Sequence, residues 1–270
     1  MTRDLEDRDG RMGERPGGVV HHAGLALLRL GARVRVVTRI NPSDADLLAP
    51  LRREGAEIRA LESRFTTTYC NDYTGPVDHH ELLWTSDPIA AKDLPAEWRR
   101  ADLIQLGPLH RRDLEPEVAG AVDGLVGLDL QGLVRRQASG RVELAPNPRL
   151  PHFLTQVQVV HANDSEVEAA VAGDSLEQFV QCHCIGEMIV THGAGGARVL
   201  ANGRSVELPA RPTGGHLLVG SGDVFLATYL FLRSAGGLPE DAAAGAVEVC
   251  SHRIEHGEIP RNFRPRAAQR

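Results

Sequence analysis

The 270-residue chain is 42% hydrophobic and 24% charged with a formal net charge of -6, which allows a substantial core and gives no reason to expect nucleic acid or an anionic membrane as partner. Lys92 is the single lysine, so a Walker A loop is excluded and a lysine Schiff base is disfavoured. Four cysteines, Cys70, Cys182, Cys184 and Cys250, with no secretory leader and no apolar run of membrane length, point to a reducing cytoplasm.

Residues 1–16 are charged and rich in Gly and Arg, and the first apolar segment, 19–30, reads as a helix closed by Gly31. A strand over 34–38, a short helix over 45–53 and a strand over 57–61 follow as βα alternation. Residues 65–86 change character, with β-branched and aromatic runs on either side of a turn, and read as a hairpin or small separate sheet. Short apolar runs at 103–106, 125–130, 157–160 and 188–190 have the pattern of strands buried on both faces of a parallel sheet. Asn202-Gly203 marks a type I′ hairpin between 197–200 and 205–208. Helices over 223–234 and 239–256 close the chain. Cys182-His183-Cys184 lacks the second ligand pair that a zinc site needs and reads as helix packing.

Gly220-Ser221-Gly222-Asp223 is the stretch with the most chemical content. Two glycines let backbone approach a ligand, and the first amides of the following helix, at the positive end of its dipole, favour an anion such as phosphate. A carboxylate beside that hole can take a proton from an attacking hydroxyl while the amides stabilise a transferring phosphoryl group. The plainer reading of the same residues is a tight loop with Asp223 as a helix cap. At 163–166, Asn-Asp-Ser-Glu fits a helix capping box. Thr191-His192-Gly193-Ala194-Gly195-Gly196 follows a strand, but it leads into a hairpin and completes no dinucleotide fingerprint, which argues against a dehydrogenase.

These boxes, in this order and with Gly17-Gly18 opening the first helix, resemble the ribokinase or PfkB family of carbohydrate kinases over nearly the whole chain. The resemblance implies a three-layer α/β sandwich with a mainly parallel central sheet and a small β lid, as one domain over 1–260 with a lid hairpin at 65–86 and a basic tail at 261–270. It implies Asp223 as catalytic base, ionised at neutral pH from its ordinary pKa of about 3.9, and Gly220, Ser221 and Gly222 as anion hole. Thr191, Gly193, Gly195 and Gly196 would form the nucleotide loop for ATP. Asn163 and Glu166 would organise Mg2+, through water. Asp4, Gly17, Gly18 and Asp129 would line the acceptor site, where carboxylates suit adjacent hydroxyls.

Three departures accompany the resemblance. The family has an apolar strand before the aspartate that Asp4 matches, and here it is missing. Leu217-Leu218 replaces an Asp-Thr pair linked to monovalent-cation activation, and His22 stands where asparagine is common. The expected activity is transfer of the γ-phosphate of ATP to a sugar or polyol hydroxyl, inositol-like or pentose/hexose, in a cytoplasmic protein that can form a homodimer. The alternative is a catalytically weak or inactive binder of nucleotide and polyol.

Overall fold

A computed structural model describes residues 1–8, 11–72, 79–138, 141–211, 213–214, 219–261 and 263. The expected turn of the 65–86 hairpin, the Leu217-Leu218 departure and most of the basic tail lie outside these residues.

In chain order the elements are β1 (Thr2–Arg8), β2 (Arg11–Gly17), α1 (Gly18–Leu30), β3 (Arg35–Ile40), α2 (Ala49–Arg53), β4 (Glu57–Glu62), β5 (Thr68–Asp72), β6 (His79–Trp84) and β7 (Arg100–Leu106). Next come α3 (Glu117–Gly120), β8 (Asp123–Asp129), α4 (Gln131–Val134), β9 (Arg135–Ala138), β10 (Arg141–Leu144), α5 (Leu150–Leu154), β11 (Val159–Asn163), α6 (Asp164–Val171) and α7 (Leu176–Cys182). The chain continues with β12 (Glu187–Thr191), β13 (Ala197–Ala201), β14 (Arg204–Leu208), α8 (Ser221–Ser234) and α9 (Pro239–His256).

The apolar runs form the expected central sheet, in the order β14-β13-β12-β11-β8-β7. β7, β8, β11 and β12 are parallel, and the 197–208 hairpin adds two antiparallel strands. Because successive side chains of a strand point to opposite faces, β11 and β12 split their apolar residues between two cores. Val159 and Ile189 pack with α1, α8 and α9. Val160, Ala162, Met188 and Val190 pack with α3, α5, α6 and α7. The result is the three-layer α/β arrangement expected from the sequence. Among the described residues β3 and β4 pair only with each other, as a two-stranded parallel sheet.

The lid is larger than the hairpin at 65–86. It is a six-stranded sheet in the order β2-β1-β5-β6-β10-β9, so four of its strands come from outside that range. The charged residues 1–16, which carry no apolar periodicity, supply two of them. They form strands because β1 alternates in a different currency: Thr2, Asp4 and Glu6 share one face and are all buried. Asp4 therefore sits inside a lid strand that pairs with Arg15 of β2 and Tyr69 of β5, where the sequence had placed it after an inner strand of the central sheet.

Candidate active site

Helix α8 starts at Ser221, two residues before its expected start, on an N-cap at Gly220 with φ 74°. Its first amides, those of Ser221, Gly222 and Asp223, have no preceding helical carbonyl to bond and point out at the positive end of the helix. Asp223 lies in this first turn, and its side chain is buried. Gln131, two residues beyond the carboxyl end of β8 and first in α4, donates from Nε2 to Asp223 Oδ1 at 2.9 Å, and Gln105 Nε2 donates to the Asp223 carbonyl at 3.3 Å. Two imidazoles hold the loop from either side. A Cβ on Gly220 would lie 2.3 Å from the His22 ring, and one on Gly222 would lie 2.9 Å from Cε1 of His161. Glycine is required at Gly220 twice over, by the left-handed backbone and by His22.

Burial, reinforced by the negative charge of Asp129, pushes the Asp223 carboxyl up to about 7, while Gln131, His161 and Arg135 pull the other way. The expectation of full ionisation at neutral pH is thereby corrected: the group is poised between its two forms. The sequence could not show this, because the charge and the burial come from other elements.

Asp129, the last residue of β8, is the register partner of His161 on β11. Its Oδ2 lies 2.9 Å from His161 Nδ1 and its Oδ1 accepts from the Gln131 amide at 2.9 Å. With both oxygens engaged and the side chain buried, Asp129 faces into the fold. This differs from the expectation that it lines the cleft, because the parallel register delivers an imidazole beside it. Burial alone would lower the His161 pKa, but Asp129, together with Glu166 and Asp223, holds it above its ordinary value.

Asn163 and Glu166 form the capping box literally: Asn163 Oδ1 accepts from the Glu166 amide at 3.0 Å, and Glu166 Oε2 accepts from the Asn163 amide at 2.9 Å. Yet Glu166 is buried in company no cap requires. Burial first, then Asp129, raises its pKa, against Arg135, the Asn163 amide and His161. Among the described residues, no three His, Cys, Asp or Glu side chains converge to hold a metal directly. The negative charge of Asp129 nonetheless raises the pKa of both Glu166 and Asp223, and carboxylates in such surroundings fit a hard cation held largely by its own waters and a donor phosphate.

Thr191 ends β12 with its hydroxyl 3.3 Å from His161 Nε2. Gly193 and Gly195 belong to one short turn, beside which His192 Nδ1 lies 2.7 Å from Asp164 Oδ1. Gly196 is needed by the hairpin, since a Cβ there would lie 2.0 Å from the Leu208 carbonyl. On the lid side, the Asp4 carboxylate covers Gly17 so closely that a Cβ would lie 1.9 Å from its Oδ2. Burial raises the Asp4 pKa, opposed by the Thr2 hydroxyl and Arg15. Gly18, with φ 73°, packs on Leu109 and Thr2.

Sequence reasoning missed Gln131 and three further groups. Arg253 of α9 is buried, donating from Nη2 to the Val219 carbonyl at 2.7 Å and from Nη1 to Ser221 Oγ at 3.4 Å. It ties the anion loop to the last helix. The available signal was its place on the same helical face as Ala242, Ala246 and Val249, where a charge is costly without a purpose. Arg135 opens lid strand β9, with its guanidinium carbon 5.5 Å from the Tyr69 ring centroid. His161 was hidden in an apolar strand.

No family model matches the sequence, and no curated protein matches it. Solved structures do. A pyrophosphate-dependent kinase in the ribokinase family, complexed with a pyrophosphate analog and myo-inositol, is 23% identical with a TM-score of 0.83, over 97% of this chain and 94% of the other. Ribokinase from Thermotoga maritima is 14% identical with a TM-score of 0.70, over 97% and 93%. Aminoimidazole riboside kinase from Salmonella enterica is 15% identical with a TM-score of 0.72, over 97% and 94%. Matched over 97% of its length by each of these, this chain has the ribokinase fold.

Proposed function

We propose that this protein is a kinase that transfers a phosphoryl group to a hydroxyl of a sugar or polyol. The observation that carries the reading is Asp223: a buried carboxylate with a pKa pushed to about 7, oriented by Gln131, in the first turn of a helix whose unbonded amides form an anion hole. An acceptor hydroxyl beside Asp223 gives up its proton to the carboxylate as its oxygen bonds to the donor phosphorus, while the phosphorus–oxygen bond opposite breaks and the rest of the donor leaves with the electron pair. The amides of Ser221, Gly222 and Asp223 take up the charge of the transferring group without reorganising. Gln131 fixes the carboxylate, and Arg253 fixes the loop. The lid supplies Asp4 beside Gly17 and Gly18, where a carboxylate accepts hydrogen bonds from adjacent acceptor hydroxyls. Asn163 and Glu166 would hold Mg2+ through water, and the ion would neutralise donor phosphate charge.

ATP is the first donor to test, with Thr191, Gly193, Gly195 and Gly196 as its loop. Pyrophosphate is the second, favoured by the similar structure that is described as pyrophosphate-dependent and holds myo-inositol. Incubation with Mg2+ and either donor, across inositols, pentoses, hexoses and nucleosides, is followed by phosphorus NMR. A new phosphate monoester, formed by the wild type and lost in Asp223→Asn, is the expected result. Silence with both donors, while ATP or pyrophosphate still binds, would replace this reading with the non-catalytic binder. Cytoplasmic location and a homodimer are part of the proposal. Among the described residues no helix is long and apolar enough to cross a membrane.

A further inference from the structure

Arg135 belongs to two parts of the molecule at once. It closes α4 as its C-cap and opens lid strand β9. Gln131, which donates to Asp223, lies four residues earlier on α4, and side chains four apart on a helix share a face, the later one leaning back toward the earlier. On the lid, the Arg135 guanidinium carbon lies 5.5 Å from the centroid of the Tyr69 ring. β10 and β6 stand between β9 and β5 in the sheet, so the contact reaches across the lid. Tyr69 is buried, pairs in register with Asp4, and donates its hydroxyl to the Leu109 carbonyl. The ring is thereby fixed, and it attracts the guanidinium to its face.

The charge of Arg135 is not spent on a direct ion pair. Arg39 and Arg233 are paired with Asp93 and Glu187, whereas among the described residues no carboxylate stands within ion-pair distance of Arg135. Its field is nonetheless acidic. Burial works against the charge, yet Tyr69, Glu166 and Asp129 hold the Arg135 pKa above its ordinary value. In return Arg135 opposes the rise at Glu166 and at Asp223. One aromatic residue does not occupy the five N–H donors of a guanidinium. A neutral acceptor hydroxyl has no need of a permanent cation, but a phosphoryl group in transfer spreads negative charge over three oxygens, and the planar fork of arginine matches two of them.

We infer that Arg135 is a further catalytic residue, whose guanidinium binds two non-bridging oxygens of the transferring phosphoryl group and holds that group between the lid and the first amides of α8. The inference rests on the phosphoryl transfer proposed above, but the anion site it names is measurable without turnover. In the step, the bond from the acceptor oxygen to phosphorus forms and the bond from phosphorus to the donor's bridging oxygen breaks. That bridging oxygen keeps the electron pair, and the acceptor proton passes to Asp223. Arg135 keeps its own protons throughout and stabilises the charge on the oxygens it binds.

The test uses the full chain as wild type, Arg135→Met and Arg135→Lys. Binding of inorganic phosphate is measured by calorimetry, melting curves report folding, and transfer is followed by phosphorus NMR. Arg135→Met is expected to weaken phosphate binding at least about 10-fold, equivalent to about 1.4 kcal/mol. Its kcat should fall by about 10²–10³-fold, with the acceptor KM little changed. Arg135→Lys keeps the charge without the fork and should lie between the two. If Arg135→Met does not fold, the lysine variant decides, with weaker phosphate binding than wild type as the expected result. A wild type that binds no phosphate would overturn the inference, as would equal phosphate binding in all folded chains or an effect confined to the acceptor KM. A wild type that is inactive yet binds phosphate through Arg135 would sink the kinase reading alone.

Discussion

Asp129 and His161 lie in register on neighbouring parallel strands, with Oδ2 and Nδ1 2.9 Å apart and both side chains buried. His161 in turn presents Cε1 to Gly222, so the pair forms a floor beneath the anion loop. Breaking it should be costly. Asp129→Ala leaves an unpaired buried imidazole and is expected to destabilise the fold by about 3–5 kcal/mol. The sign of the pH dependence follows from the raised His161 pKa: stability from the pair is fully present below the ordinary histidine value and is lost as pH rises through the raised one. Denaturation of wild type and variant across pH should therefore converge at the alkaline end.

Asp223→Asn is expected to lower kcat by about 10²–10⁴-fold. In the wild type, kcat/KM should rise with pH through about 7, since only the carboxylate accepts the proton. Stability moves the opposite way. An acid whose pKa is raised on folding binds its proton more tightly in the native state, so wild-type stability falls as pH climbs from the ordinary carboxylate value through about 7. The asparagine variant lacks this loss and should melt higher than wild type at pH 8 but not at pH 5. A flat rate profile, or full activity of the variant, would refute the assignment of the base.

Gly220→Ala must place a Cβ into the His22 ring at a left-handed φ of 74°. A loss of about 1–3 kcal/mol in stability is expected from the backbone alone. Combining it with His22→Ala removes the steric conflict but not the strain, so activity should recover only in part. Steady-state kinetics and melting curves on the two variants check this.

Arg253→Met keeps the side-chain bulk on α9 and removes the donors to Val219 and Ser221. Loss of charged hydrogen bonds of this kind costs about 1.5–3 kcal/mol. The prediction is a donor KM raised by at least about 10-fold, equivalent to about 1.4 kcal/mol, with the acceptor KM little changed. Equal effects on both would mean that the residue only supports the fold.

Glu166 separates a cap from a metal role. Glu166→Gln keeps a side-chain oxygen for the Asn163 amide, so the cap survives. If the carboxylate organises Mg2+, the Mg2+ concentration for half-maximal activity should rise by about 10–100-fold while the melting temperature holds. An unchanged Mg2+ requirement would leave it a cap.

What the sequence determined by itself was local. Residues 19–30, 223–234 and 239–256 carry helical periodicity and stop signals, and the apolar runs at 103–106, 125–130 and 188–190 carry the mark of doubly covered strands, so their type and order were legible. The Gly220–Asp223 box was legible for the same reason, since its chemistry resides in consecutive residues. Tertiary structure decided whatever depends on a partner distant in the chain. Strand pairing is non-local, so the charged residues 1–16 became two of the six lid strands only by pairing with β5 and burying Thr2, Asp4 and Glu6. The poised pKa of Asp223 required Asp129, Gln131 and burial to meet, and the inward turn of Asp129 required the β8-β11 register. A charge belongs to a residue, but its energy belongs to its surroundings, and those are assembled only when the sheet and its helices close around it.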